Sequence, residues 1–258
     1  ETGTGRIREV DPLLPSSVQI SVSDLARGPT GDFAWARERL RVLSAETPSA
    51  LEREYEGLAT GQAKGLSDAQ RYGQALLQMQ GRKHLGKAVA TLTQLQDIHP
   101  DNLWVALALA QAESRAGQVP QANARLDDLL RRHPGNRPIA LTYAALLNEQ
   151  GGQQAGRRSQ EMLRPLLPRS AGDPVFQSTF ARASELAGDG LRASESYAEA
   201  AFLNGRPEQA LMQLQAMTKR DDLDYVTRAR VEARIETITP TVLEMRRQGV
   251  RDPDLERR

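Results

Sequence analysis

The chain has 258 residues, enough for one or two ordinary domains, and a lean apolar fraction of 39 % with 4 % aromatics. Its formal net charge of +1 provides no broad positive field, so we expect no nucleic-acid partner. No stretch approaches the roughly 20 apolar residues that a membrane span requires, so we expect no membrane insertion. The absence of cysteine excludes disulfides, thiolate metal sites and a cysteine nucleophile. Ala, Leu, Gln, Glu and Arg dominate, a mixture that favours helices.

Residues 1–31 contain Pro12, Pro15 and Pro29 with several Gly and Ser, a composition that predicts a linker or a strap laid along the helices. The start, Glu1-Thr-Gly-Thr-Gly5, has no Met, no basic region and no apolar stretch typical of a signal peptide. We therefore interpret the chain as a processed or excised fragment. A cloning scar is one explanation for its first few residues.

Two helices are predicted next. Residues 32–45 have the pattern of an amphipathic helix, and residues 49–62 are its expected partner in an irregular first helical hairpin. These helices begin a single predicted superhelical domain that extends over residues 32–248.

The middle of the chain repeats with a period of 34 residues, since His99-Pro-Asp-Asn102 recurs as His133-Pro-Gly-Asn136. Three apolar residues stand at equal distances before each Pro, namely Ala88, Leu92 and Leu95, and then Ala122, Leu126 and Leu129. This is the period of the tetratricopeptide repeat (TPR), a pair of antiparallel helices whose small residue lies where the helices cross closest. The Pro is expected to end the second helix, and Asn102 or Asn136 to cap the next one.

A second signature is a Gly followed five residues later by Ala, in Gly117–Ala122, Gly188–Ala193 and Gly205–Ala210. Gly suits the tight turn between paired helices because a positive φ costs it little. The two signatures together predict regular repeats over residues 69–102, 103–136, 137–173 and 174–204.

Irregular features are predicted toward the C-terminus. The second helix of the third repeat is expected around residues 160–167 and to end at Pro168. Helices over 206–218 and 222–248 follow, the second broken or bent near Pro240 and acting as a cap, before a frayed tail over 249–258. The predicted fold class is therefore all-α, a TPR-type α-solenoid of antiparallel helix pairs with a C-terminal capping helix.

Motifs for catalysis or for cofactors are lacking in the sequence. Of its three histidines, His99 and His133 precede Pro at repeat ends, where a helix C-terminus explains them. The sequence has no His-Glu-x-x-His motif, no phosphate-binding Gly-rich loop and no Gly-x-Ser-x-Gly turn. We therefore predict no catalytic, cofactor-binding or metal-binding residue and no enzymatic activity for this chain; an enzyme whose site escapes this motif search is the remaining alternative.

What remains is a surface for a protein or peptide partner. In stacked TPRs the first helix of each repeat lines a concave groove. The groove positions of the repeats are Trp104, Leu107, Gln111, Arg115, Leu141, Asn148 and Arg182. Trp104 is either an anchor for a bound peptide or helix, or it packs under the preceding repeat or the N-terminal strap; the sequence leaves both open.

Two segments, 194–214 (SESYAEAAFLNGRPEQALMQL) and 224–235 (DYVTRARVEARI), resemble the C-terminus of the β-barrel assembly-enhancing proteases. These are periplasmic zinc metalloproteases of Gram-negative bacteria that carry TPR domains. The repeat over 69–102 and the helix over 33–43 are similar to that family's layout after its protease domain.

The resemblance implies that the chain is the C-terminal TPR region of such a protease, located in the periplasm. It would dock the parent enzyme onto the outer-membrane β-barrel assembly machinery, or present misassembled barrels to it, with the groove facing the protease active site. Zinc is expected only in the missing protease domain, since no zinc-binding motif is present here. The alternative is a free-standing TPR scaffold in secretion or pilus assembly.

Overall fold

A computed structural model describes residues 31–60 and 65–250, and within these ranges the chain forms helices and turns without a strand. The chain divides into two compact units, residues 1–117 and 118–258, and each is described by itself. The predicted linker or strap lies outside the described residues except for Gly31, and so do residues 251–258 of the predicted tail.

The first unit contains five helices in its described part. They are α1 (Gly31–Leu43), α2 (Pro48–Thr60), α3 (Asp68–Gln78), α4 (Leu85–Ile98) and α5 (Leu103–Arg115). Helix α3 is central, because α1, α2 and α4 all pack against it, and α5 packs in turn against α4. The two predicted N-terminal helices thus share α3 as a packing partner.

Aromatic contacts join α1 to the first regular helix pair. The ring of Trp35 meets Tyr72 edge to face at 5.5 Å between centroids, and meets His99 at 5.3 Å. The Nε2 atom of His99 also lies 2.8 Å from a carboxylate oxygen of Asp68 at the start of α3. His99 therefore has a structural role that ties three helices together, beyond its position at the end of α4.

A buried carboxylate joins α1 to α2. Glu38 is fully buried, and its carboxylate accepts a hydrogen bond of 2.8 Å from the hydroxyl of Tyr55. Arg41 adds an ion pair of 3.1 Å to the same carboxylate. Burial of an unpaired charge would cost several kcal/mol, so these partners are what makes the position tolerable.

The second unit contains eight helices in its described part. They are α6 (Val119–Arg132), α7 (Arg137–Gln150), α8 (Gln153–Leu163), α9 (Leu167–Ser170), α10 (Pro174–Ala187), α11 (Gly190–Leu203), α12 (Pro207–Thr218) and α13 (Tyr225–Arg247). Consecutive helices pack in pairs, and α10 packs on both α7 and α8. The last helix, α13, packs on α12 and buries Val231, Ile238 and Val242. The predicted fold class, all-α with TPR-type helix pairs, is confirmed in each unit.

The local signals of the repeat act as predicted. The side-chain oxygen of Asn102 accepts hydrogen bonds from the first turn of α5, and that of Asn136 accepts one from the first turn of α7. Both residues are therefore N-caps, as expected. The three signature glycines all have positive φ, 83° at Gly117, 87° at Gly188 and 74° at Gly205.

The structure corrects one prediction about proline and excludes one alternative of a second. Pro168 does not end the third repeat's second helix, because α8 ends at Leu163 and a 3-10 turn over Arg164–Leu166 leads into the short α9. Pro168 lies in the first turn of α9, where its missing N–H removes no helical hydrogen bond. Of the break or bend predicted near Pro240, the break does not occur, since α13 continues as a helix through that residue.

Candidate functional site

Four of the predicted groove residues form one stripe on α5 in the first unit. Trp104, Leu107, Gln111 and Arg115 follow each other at intervals of three and four residues, which places them on one helical face. Three of them are half-buried and Arg115 is exposed. We call this set the α5 stripe.

The ends of the α5 stripe are attached to the rest of the unit. Trp104 packs partly against the core cluster around Tyr72 and Leu109, so its indole contributes to the core and keeps some surface open. Arg115 donates a hydrogen bond of 3.1 Å from its guanidinium to the carbonyl oxygen of Met79, at the end of α3. Both ends of the stripe are therefore held against the rest of the unit.

The other three predicted groove residues lie in the second unit and have different surroundings. Leu141 on α7 is half-buried against the cluster that contains Phe176. Asn148 on the same helix is buried, and its side-chain amide donates a hydrogen bond of 2.9 Å to the carbonyl of Thr179 on α10. This bond commits Asn148 to holding two helices together.

Arg182 on α10 is exposed and forms an ion pair of 2.7 Å with Glu185, one turn along the same helix. The hydroxyl of Tyr197 donates a second hydrogen bond of 3.0 Å to Glu185. The hydrogen bond from Arg182, which has the larger effect, and the one from Tyr197 hold the pKa of Glu185 below its usual value. Of Leu141, Asn148 and Arg182, Arg182 is the residue whose side chain is exposed to solvent.

A further site in the second unit, absent from the sequence predictions, is a cleft with a volume of about 430 Å³. Its floor is apolar and includes Leu167, Leu214 and Val231. Its walls come from α11 and α13 and carry charges of both signs: Arg192, Glu195 and Glu199 from the former, Arg230 and Arg234 from the latter. We call this site the α11–α13 cleft.

Two ion pairs cross the cleft and set its width. Arg234 binds Glu199 through two hydrogen bonds of 2.7 and 2.9 Å, and its guanidinium lies 4.6 Å from the centre of the Phe202 ring. Arg230 forms the second crossing pair with Glu195 at 2.7 Å. Arginine binds a carboxylate most strongly through two hydrogen bonds, and it also stacks favourably on an aromatic ring, as Arg234 does with Glu199 and Phe202. The pair Arg234–Glu199 therefore acts as the fixed end of the cleft.

The other end carries an excess of positive charge. Glu195 is shared by Arg230 at 2.7 Å and Arg192 at 3.3 Å, so that one carboxylate serves two guanidiniums. The side chains of Arg230 and Arg192 are 47 % and 43 % exposed, whereas that of Glu195 is 16 % exposed. The mouth of the cleft therefore offers arginine donors to solvent while its single carboxylate is withdrawn.

A sequence signal for this cleft existed. Glu195 and Glu199 are four residues apart, Arg230 and Arg234 are also four apart, and each Arg follows its Glu by 35 residues. Side chains four residues apart share a helical face, so the pattern indicates one helix with an acidic face and another with a basic face. The segments that resemble the protease family contain all four residues.

The described ranges, 31–60 and 65–250, contain no group of three or more His, Cys, Asp or Glu side chains arranged to hold a metal ion. None of the helices in those ranges combines the length and the apolar character that a membrane crossing requires.

Comparisons with known proteins identify the repeat. Residues 79–146 match the tetratricopeptide repeat family. Cellulose synthase operon protein C of Pseudomonas fluorescens (strain SBW25) is 41 % identical over 69 residues, which are 27 % of this chain and 5 % of that protein. The chain thus matches a small part of that relative's length. TPR repeats indicate a protein–protein interaction scaffold, and such repeats are generally non-catalytic.

Proposed function

We propose that this chain is the non-catalytic, protein-binding region of a periplasmic zinc metalloprotease in a Gram-negative bacterium. Its role is to dock that protease onto the outer-membrane β-barrel assembly machinery, or to hold misassembled barrels for it. The observation that carries this proposal is the resemblance of residues 194–214 and 224–235 to the assembly-enhancing protease family. The TPR match over residues 79–146 supports a protein as the partner.

The parent protease and this chain have different roles in this proposal. Zinc and the catalytic groups belong to the parent protease domain, and this chain supplies surfaces that bind protein. Trp104 and Arg115 bracket the α5 stripe with an aromatic ring and a guanidinium, two groups that often dominate interface energies. The partners in this proposal are outer-membrane assembly components or the protease domain itself.

A second candidate is a free-standing TPR scaffold in secretion, pilus assembly or a related envelope process. The observation that favours it is the likeness to a protein named for a cellulose synthase operon, of which the matched segment is a small part. In this case the scaffold would act without a protease domain, and its partners would be other components of the same envelope process.

Affinity capture from an envelope extract tests the proposal. The immobilised chain is incubated with a Gram-negative periplasmic and outer-membrane extract and compared with the double variant Trp104→Ala, Arg115→Glu. We expect the wild type to enrich β-barrel assembly components and the variant to lose them. Because Trp104 also packs on the core, the single variant Gln111→Lys, which leaves Trp104 in place, is tested beside it.

A matched control changes an exposed aromatic and an exposed arginine elsewhere, in the double variant Tyr225→Ala, Arg131→Glu, and should capture the same proteins as the wild type. If all variants capture the same partners, the α5 stripe is not the binding surface. If the wild type captures components of secretion, of pilus assembly or of a cellulose synthase operon, the second candidate replaces the first. Capture of no envelope protein at all refutes both.

A further inference from the structure

We infer that the α11–α13 cleft binds an extended acidic peptide segment, with an Asp or Glu side chain at its mouth and a neighbouring apolar side chain on its floor. This inference rests on the proposed protein-binding function and specifies a site and a ligand chemistry for it. The site is separate from the predicted groove residues, none of which lines the cleft.

The size of the cleft fits a short peptide stretch. Ligand-binding clefts commonly have volumes of roughly 300–1,000 Å³, and the 430 Å³ here lies in the lower part of that range. Leu214 and Val231 at the floor are 3 % and 1 % exposed, so they belong to the core and cannot rearrange easily. A bound apolar side chain would therefore meet a preformed surface.

The charge balance at the mouth determines the sign of the ligand. Arg192 and Arg230 share the single carboxylate of Glu195, which leaves one positive charge in excess. In Arg230 the Nε and one terminal nitrogen both bind the same oxygen of Glu195, and the other terminal nitrogen has no part in that pair. A carboxylate from a ligand would complete the pairing, because arginine presents its donors in a fixed fork that suits carboxylates.

The geometry also explains why a basic or neutral segment fits less well. A ligand Lys or Arg would meet two half-exposed guanidiniums before it reached Glu195, which is only 16 % exposed. At the opposite end the charges balance one to one, because Arg234 binds both carboxylate oxygens of Glu199 through two of its three guanidinium nitrogens. The specificity of the cleft therefore comes from Arg192 and Arg230.

The test uses a peptide with blocked ends that alternates Leu and Glu, labelled with a neutral fluorophore and measured by fluorescence anisotropy at low ionic strength. A second peptide replaces each Glu with Gln, and a third carries Gln with a free C-terminal carboxylate. We expect the Glu peptide to bind, and the blocked Gln peptide to bind at least about fivefold more weakly, the scale of one typical net hydrogen bond. Tighter binding of the free-carboxylate peptide than of the Glu peptide would overturn the assignment of an internal acidic side chain.

Variants of the cleft give opposite results if the inference is correct. The double variant Arg192→Gln, Arg230→Gln should weaken binding of the Glu peptide about three- to tenfold. The variant Glu195→Gln removes the competing carboxylate, so it should tighten binding, by about threefold. A purely structural role for these residues would not strengthen binding. The exposed control Arg131→Gln, which removes one positive charge at a residue that does not line the cleft, should bind as the wild type does.

The inference is overturned if the Glu and Gln peptides bind equally, if the Glu peptide does not bind at millimolar concentration, or if Glu195→Gln fails to tighten binding. Thermal unfolding of each variant reports whether the second unit is intact, and Glu195→Gln keeps the test decisive if the arginine variants unfold. If the wild type captures envelope proteins but does not bind the acidic peptide, the proposed function stands and only the inference about the cleft is overturned.

Discussion

Replacement of Gly156 by Ala tests how closely α8 and α10 approach each other. A Cβ at this position would lie 2.5 Å from the backbone nitrogen of Ala187 and 2.6 Å from the Cβ of Leu186. Its third neighbour, the carbonyl carbon of Leu186, is at 2.7 Å. Two of these three atoms belong to the backbone, so no side-chain rotation can relieve the overlap, and the helices would have to separate.

The magnitude follows from two opposing effects. Ala is a better helix former than Gly by about 1 kcal/mol, which favours the variant. Overpacking of a well-packed contact costs about 1–3 kcal/mol, and the backbone overlap at Gly156 places this case at the upper end. We therefore expect Gly156→Ala to lower the free energy of unfolding of the second unit by about 2 kcal/mol.

Urea denaturation followed by circular dichroism measures this difference, and Gly190→Ala is the matched control. Gly190 lies at the start of α11 in the same unit, is exposed, and a Cβ there would meet no atom within 4 Å. The control should be neutral or slightly stabilising, since only helix propensity changes. If Gly156→Ala proves as stable as this control, the close approach of α8 and α10 is wrong.

Two further predictions concern buried tyrosines. Tyr55→Phe removes the hydroxyl that donates to the buried carboxylate of Glu38. A denaturant titration should therefore show a free energy of unfolding lower by about 2 kcal/mol. An unchanged value would show that Glu38 does not depend on this donor. Burial, and then the neighbouring Asp127 carboxylate, raises the pKa of Tyr143 to about 12 from its usual 10.0. Since the folded pKa is the higher one, the stabilisation is complete below pH 10 and is lost as the pH rises toward 12. Denaturant titrations across this pH range should show a smaller decrease in the free energy of unfolding for Tyr143→Phe than for the wild type. Equal decreases would contradict the raised pKa of Tyr143.

The repeat architecture could be predicted because its signals are local. Asn102 and Asn136 cap their helices through backbone groups only two or three residues away, so sequence alone is sufficient. The same local reasoning was wrong at Pro168, because a proline is compatible both with the end of one helix and with the first turn of the next. The 3-10 turn over Arg164–Leu166 decides between these outcomes, and no periodicity in the sequence predicts it.

In the candidate sites, too, some features follow from the local sequence and others only from tertiary packing. The sequence by itself determined that Trp104, Leu107 and Gln111 share a face, because helical spacing alone places them there. Only the tertiary structure decided that Arg230 and Arg234 on α13 meet Glu195 and Glu199 on α11, and that Asn148 is committed to a carbonyl of α10. Charges at regular spacing show which residues share a face, but not which neighbour that face meets. That choice depends on the rotation of α13, which is set by burial of Val231, Ile238 and Val242 in the core it shares with α11 and α12.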